Sequence, residues 1–407
     1  MNINAMGQSS LSGRYPASIA WTLTDQIVWG MRQVFVAGTA RGLLEMVFGA
    51  GMVVLATRSL QDGSLGMAVR RYYVRSLLLV LVGLAHVLWL GWFADFLHIY
   101  GLAALVVFPL TRLRAGWLVA SGAVYAAVLA IAGLATLSTG APTSLGGVGG
   151  AIRHDVPSRL VPSLPLAGHT PAVAGDARVA IAAENDERTS TRVRWSAALV
   201  HVYATHFDWG WVRYGLCEAG ATMLLGAGLF KWQVLQGARS RIFYGRLGVT
   251  GYLLGLAIRV PGAWHLANPT IPMPLVEALG EVGRLSMTLG HVATVALLLN
   301  MPRGRALLAP FRAVGRMSLS VYLCQTLLAL WLVFSPLGLG LYGRMTWAGL
   351  MVTAATIDLV LIVATNRYMR YYRVGPVEWI WRSLAASRAL PMRAVRLPHG
   401  ATAVIGR

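Results

Sequence analysis

The chain has 407 residues, of which 56% are hydrophobic and only 12% charged, with a mean hydropathy of +0.60. A soluble globule carries about 25% charged residues, so this composition excludes an ordinary water-soluble domain. The net charge of +20 does not point to nucleic acid, because the basic residues sit in loops between apolar runs instead of clustering on one face of a soluble domain; membrane lipids, the anionic leaflet above all, are the expected partner.

In chain order, residues 17–37 come first. Ile19, Leu23, Ile27, Met31 and Val34 form one helical stripe, with Asp25, Gln26, Arg32 and Gln33 off it, a pattern that suits a helix in the membrane interface. About 20 apolar residues cross a bilayer core, and nine such runs follow, over 41–57, 72–91, 95–111, 115–137, 213–230, 242–260, 275–300, 312–334 and 346–366. The expected fold is all-α, a polytopic integral membrane helical bundle of about nine transmembrane helices.

The loops 58–71, 112–114, 231–241 and 301–312 carry two or three basic residues each, whereas 92–94 and 261–274 carry none and 335–345 only Arg344. The positive-inside rule then separates two sides and places the basic tail 367–407 inside. The segment 138–195 is rich in Gly, Pro, Ser and Thr, which predicts a long, partly disordered extracytoplasmic loop over 138–212. That loop divides an N-terminal membrane part, 1–137, from a C-terminal one, 213–366. Traced backwards, the alternation leaves the N-terminus outside, so the expectation is an absent first helix that would bring the total to ten.

Ionisable groups at membrane depth are costly and mark candidate sites. In the seventh predicted helix Glu277, Glu281, Arg284, Thr288 and His291 recur at spacings of 4, 3, 4 and 3, which keeps them on one face; the stripe either lines a substrate or ion path or ties the bundle together through a Glu281–Arg284 pair. Asp95 and His98, three residues apart, either orient an imidazole for general-base work or form a helix cap with a snorkelling histidine. His86 lies deeper, as a packing residue or a base. Ser318, Tyr322 and Gln325 share a face in GRMSLSVYLCQT, Gly315 to Thr326, with Arg316 at the inner end, placed to hold a headgroup or an anionic donor. Glu45, Glu218 and Asp358 are further buried carboxylates that each stand alone. GATMLLGAG, Gly220 to Gly228, supplies small residues for close helix approach. Cys217 and Cys324 read as packing residues, and the loop histidines His154, His169, His201 and His206 are too scattered for a metal site; no metal is expected.

GRMSLSVYLCQT, GLGLYGR (Gly338 to Arg344) and RVGPVEWIWRSL (Arg373 to Leu384) together resemble the signature of the YeiB-like membrane proteins, domain of unknown function 418. The likeness extends through MLLGAGLFKW and GYLLGLAIR, and back to ARGLLEMVFGAGM and GLAHVLWLGWFADFLHIYGL. It implies a bacterial inner-membrane protein whose first helix carries an LDxLRG-like motif and ends near an asparagine; this chain has MNI, Met1 to Ile3, at that point. The family's fold is similar to transmembrane acyltransferases that pass an acyl group from a cytoplasmic donor to a sugar across the membrane. Their catalytic histidine follows the first helix, and Gln8 to Asp25 contains none, so no catalytic residue is carried over.

Three functions are therefore expected in competition. In an acyltransferase, His86 or His98 deprotonates an acceptor hydroxyl, of an envelope glycan or a small molecule, while Arg316 holds a donor such as acyl-CoA. A transporter uses Glu281, Arg284 and His291 as an ion path. The third is an envelope protein with no turnover.

Overall fold

A backbone surrounded by hydrocarbon has no water to bond to, so apolar runs of this length must satisfy their amides internally, as helices. The computed structural model describes residues 3–9, 12, 16–19, 21–61, 65–92, 94–139, 179, 209–268 and 273–393. The expected loop 138–212 lies outside them except at its ends and at residue 179, and its four histidines and the last residues of the basic tail lie outside them too. Among the described residues there is no strand, only an isolated bridge between Tyr372 and Arg393.

The helices are α1 (Ile3–Gly7), α2 (Leu23–Met31), α3 (Thr39–Gln61), α4 (Leu65–Leu90), α5 (Leu97–Val107), α6 (Ala115–Thr139), α7 (Trp209–Lys231), α8 (Arg241–Ala267), α9 (Pro274–Ala278), α10 (Gly280–Leu299), α11 (Pro302–Leu308), α12 (Phe311–Arg316), α13 (Ser318–Thr326), α14 (Trp347–Tyr368) and α15 (Pro376–Ala386). Three of them change pitch: α2 runs on as a π-helix over Arg32–Val36, α5 as a 3-10 helix over Phe108–Arg112, and α13 as a π-helix over Leu327–Phe334. Five stretches among the described residues are long and apolar enough to cross a bilayer: Leu23–Thr57, Val69–Leu90, Ala115–Leu134, Gly280–Leu299 and Trp347–Tyr368. Leu97–Arg112 and Ser318–Phe334 are shorter apolar helices.

Several boundaries differ from the hydropathy reading. α3 and α4 extend past their apolar runs because arginine is a good helix former and hydropathy falls at the charge, not at the helix end, and α8 runs on through Pro261 to Ala267. The seventh predicted run is two helices, parted at Leu279, and the eighth is broken at Met317. The tail contains α15, whose Ile380 and Leu384 are exposed while Glu378 turns inward. Of the predicted stripe, Leu23, Ile27 and Met31 are exposed by 71%, 54% and 60%, but Val34 is buried, and of the residues off it Gln26 is exposed while Asp25 and Gln33 are buried. Asp25 therefore faces protein: it accepts from the Ala348 amide at 2.9 Å and caps the start of α14.

The closest pairings are α8 with α10, α3 with α7, α6 with α7 and α4 with α5. The α3–α7 crossing depends on reciprocal glycines. A Cβ on Gly49 would stand 1.8 Å from the Met223 carbonyl oxygen, and one on Gly226 would stand 2.3 Å from Met46 Cα. The GATMLLGAG stretch thus does what its small residues suggest: it lets two backbones touch. Lys231, the sole lysine of the chain, fixes the end of α7 by donating to the carbonyls of Thr111 and Leu113 at 2.6 and 2.7 Å.

Candidate functional site

The chain turns between α4 and α5 through Gly91 (φ +70°), and this reversal carries Asp95 back against the last turns of α4. Asp95 and its two histidines are buried, Asp95 at 0% exposure. Oδ2 accepts from the amides of Leu97 at 2.9 Å and His98 at 3.4 Å, so Asp95 caps α5. The same oxygen lies 3.1 Å from His98 Nδ1, while Oδ1 lies 2.9 Å from His86 Nδ1 and accepts the Tyr322 hydroxyl at 2.9 Å. The cap and the imidazole-orienting roles are held by one carboxylate at once. A carboxylate only accepts, so each Nδ1 carries its hydrogen, and in the neutral imidazole His86 Nε2 presents a lone pair. That lone pair faces the Thr326 hydroxyl at 2.9 Å. Thr326, at the junction of α13 with its π continuation, is 0% exposed. Gly83 on α4 makes the arrangement fit: a Cβ there would stand 2.3 Å from the His98 amide nitrogen and 2.8 Å from Asp95 Oδ2.

A second polar centre lies among α3, α5, α7 and α10. Arg284 donates through Nε and Nη2 to both oxygens of Glu281, at 2.8 and 2.7 Å, a bidentate pair. It also reaches Glu45 at 3.4 Å, Glu218 at 3.3 Å and the Thr222 hydroxyl at 2.9 Å. Arg41 bonds Glu218, sits 3.6 Å from Glu45, and stacks its guanidinium over Phe96 at 4.6 Å. The Tyr100 hydroxyl donates to Glu45 at 3.2 Å. Glu45 and Glu218, solitary in the sequence, thus converge with Glu281 on two guanidiniums.

Between α2 and α3 the backbone is broken, at Ala37 and Gly38 (φ +76°), a conformation that favours glycine. The break leaves carbonyls open at the end of the first half. Arg259 from α8 fills them: Nε donates to Val34 at 2.6 Å, and Nη2 to Gln33 and to Ala37. His291 Nε2 takes the Phe35 carbonyl at 2.9 Å, with its Nδ1 3.1 Å from the Tyr252 hydroxyl. Gly38 packs on Arg284, whose Cδ would lie 3.1 Å from a Cβ there, so the break abuts the charge cluster.

The predicted stripe of the seventh helix is thereby divided. Glu281 and Arg284 enter the charge cluster, Thr288 turns its hydroxyl to its own helix at the Arg284 carbonyl, His291 serves the break, and the exposed Glu277 pairs with His265 at 2.8 Å. On α13, Tyr322 reaches Asp95 and Gln325 donates to Asp358 at 2.7 Å, while Ser318 is exposed. The buried serine is Ser320, whose amide and hydroxyl, with the Leu319 amide, bind Glu378 of α15. Glu378 therefore caps α13 and explains why GRMSLSVYLCQT and RVGPVEWIWRSL occur together. Arg316 donates to the Arg373 carbonyl at 2.6 Å.

Sequence reasoning missed Arg41, Arg259, Ser320, Thr326 and Glu378. The Arg41–Glu45 spacing of four was the available signal for the first; for Thr326 there was none, since its partner is 240 residues away. Among the described residues no group of His, Cys, Asp or Glu is placed to hold a metal ion.

Comparison with known proteins gives family resemblance without an activity. Residues 229–388 match the family described as Protein of unknown function (DUF418). "Uncharacterized protein YeiB" of Escherichia coli (strain K12) is 26% identical over 96% of this chain and 93% of its own length. "Uncharacterized protein YxaH" of Bacillus subtilis (strain 168) is 33% identical over 39% of this chain, a match that spans 38% of that protein. No solved structure matches the chain significantly.

Proposed function

For a chain that belongs to the YeiB-like proteins of the DUF418 family, we propose that it is a membrane acyltransferase, with His86 as general base. The observation that carries this reading is the line Asp95–His86–Thr326. A carboxylate holds Nδ1–H and fixes the tautomer, and the opposite nitrogen meets a hydroxyl at 2.9 Å, the arrangement that activates a hydroxyl for attack on an acyl carbon.

In this reading α7, α8, Leu97–Arg112 and Ser318–Phe334 join the five apolar stretches as nine crossings of a bacterial inner membrane. The arginine-bearing ends and the tail face the cytoplasm. Gly91 and Asp95 then lie towards the outer side, where an envelope glycan or small hydroxyl compound would be the acceptor. Arg316 ends α12 on the cytoplasmic side, just before the break at Met317 and ten residues before Thr326. One donor of its guanidinium is used by Arg373, and the others are suited to the phosphates of acyl-CoA.

An ion-coupled transporter is the second reading, favoured by the interrupted helix at Ala37–Gly38 with Arg284, Arg259 and His291 around it, a design found at transport sites. Acetyl-CoA turnover by purified protein, without acceptor, separates the two. Slow hydrolysis or exchange that His86→Gln abolishes is expected from the transferase. Solute flux in proteoliposomes that His291→Ala alters, with no acetyl-CoA turnover, would replace it by the transporter.

A further inference from the structure

Resting on the acyl-transfer reading, we infer that Thr326 is the residue that carries the acyl group between donor and acceptor. Two independent observations point to it. First, its hydroxyl occupies the place beside His86 Nε2 that an acceptor would need for direct transfer, and it does so at 2.9 Å between packed helices. Second, it departs from the habit of its residue type. Threonines inside helices often turn their hydroxyls back to the carbonyl four residues earlier, and seven do so among the described residues, including Thr288, Thr353 and Thr365. Thr326 makes no such bond; the one side-chain hydrogen bond it forms among the described residues goes to the imidazole. The helix changes to π pitch at the next residue, a distortion that recurs at functional sites.

The chemistry balances without a redox partner. Thr326 Oγ1 passes its proton to His86 Nε2 as it attacks the carbonyl carbon of an acyl thioester. The new C–O bond forms, the C–S bond breaks, and the leaving thiolate takes the proton from the imidazolium, which Asp95 stabilises meanwhile. An acceptor hydroxyl then gives its proton to Nε2 and attacks the threonyl ester. The acyl group moves to the acceptor oxygen, and Thr326 regains its proton.

The test is acid quenching of purified full-length protein with radiolabelled acetyl-CoA, followed by peptide mass spectrometry. Acetyl ester on Thr326 is expected in the wild type and in Thr326→Ser, which keeps the hydroxyl. Thr326→Val, nearly isosteric, should carry no label and turn over at least about 100-fold more slowly. Wild-type turnover with no label on Thr326, or label on another residue, overturns the covalent step and leaves direct transfer standing. Absence of both turnover and label in the wild type overturns the acyl-transfer reading and this inference with it. Should Thr326→Val fail to fold, the position of the wild-type label decides alone.

Discussion

Replacing Arg284 by methionine probes the charge cluster at its centre. Methionine keeps much of the stem volume and removes the guanidinium, so packing is changed little. The loss falls unevenly: Glu45 keeps Arg41 at 3.6 Å and the Tyr100 hydroxyl, and Glu218 keeps Arg41. Glu281 loses both its bonds, at 2.8 and 2.7 Å, and is left as a carboxylate at 1% exposure with no other hydrogen bond among the described residues. Removing one partner of a buried pair costs about 3–5 kcal/mol, most of it from the charge left behind. Arg284→Met should therefore destabilise by about 4 kcal/mol, and adding Glu281→Gln should recover about half by removing the stranded charge. Unfolding in mixed micelles with increasing sodium dodecyl sulfate, followed by tryptophan fluorescence, measures both. If the double variant is less stable than Arg284→Met, or Arg284→Met is within about 1 kcal/mol of wild type, Glu281 does not depend on Arg284 and the assigned geometry is wrong.

Three further substitutions test other joints. Gly83→Ala places a Cβ 2.3 Å from the His98 amide; overpacking of this kind costs about 1–3 kcal/mol, and acetyl-CoA turnover should be lost in protein that still folds, whereas unchanged turnover would contradict the position of Asp95. Glu378→Ala removes the cap of α13, worth about 1–2 kcal/mol, and should speed hydrogen exchange at the Leu319 and Ser320 amides; exchange confined to α15 would show that Glu378 does not cap α13. Arg259→Leu opens the carbonyls at Gln33, Val34 and Ala37, with a loss of about 2–3 kcal/mol, and hydrogen exchange or proteolysis should rise at residues 32–38. No local change there would mean the helix break is held by other contacts.

How legible this was from sequence varies by element. Hydropathy located the apolar helices because the bilayer imposes their length, and it misplaced their ends because helix propensity continues through arginine. The polar residues near Asp95 were readable as a pair, since Asp95 and His98 are close in the chain and His86 is nearby. Their third element was not, because Thr326 is an ordinary helical threonine until the fold sets it opposite His86. Glu45 and Glu218 read as solitary for the same reason: nothing local to either announces an arginine on α10. The stripe on the seventh predicted helix reads as one face of a single helix, but the break at Leu279 puts Glu277 on α9 and the rest on α10, and a stretch 15 residues long passes several neighbours. Glu277, Glu281 and His291 meet different ones.

The measurement nearest to the central claim is a pair of values on one variant, His86→Gln: its acetyl-CoA turnover and its unfolding midpoint. Glutamine retains an amide donor for Asp95 and about the same bulk, but supplies no base. The expected result is stability within about 1 kcal/mol of wild type with turnover reduced at least about 100-fold. Turnover that persists, or that falls only as far as the folded fraction falls, would show that Asp95, His86 and Thr326 clamp α4, α5 and α13 together and catalyse nothing.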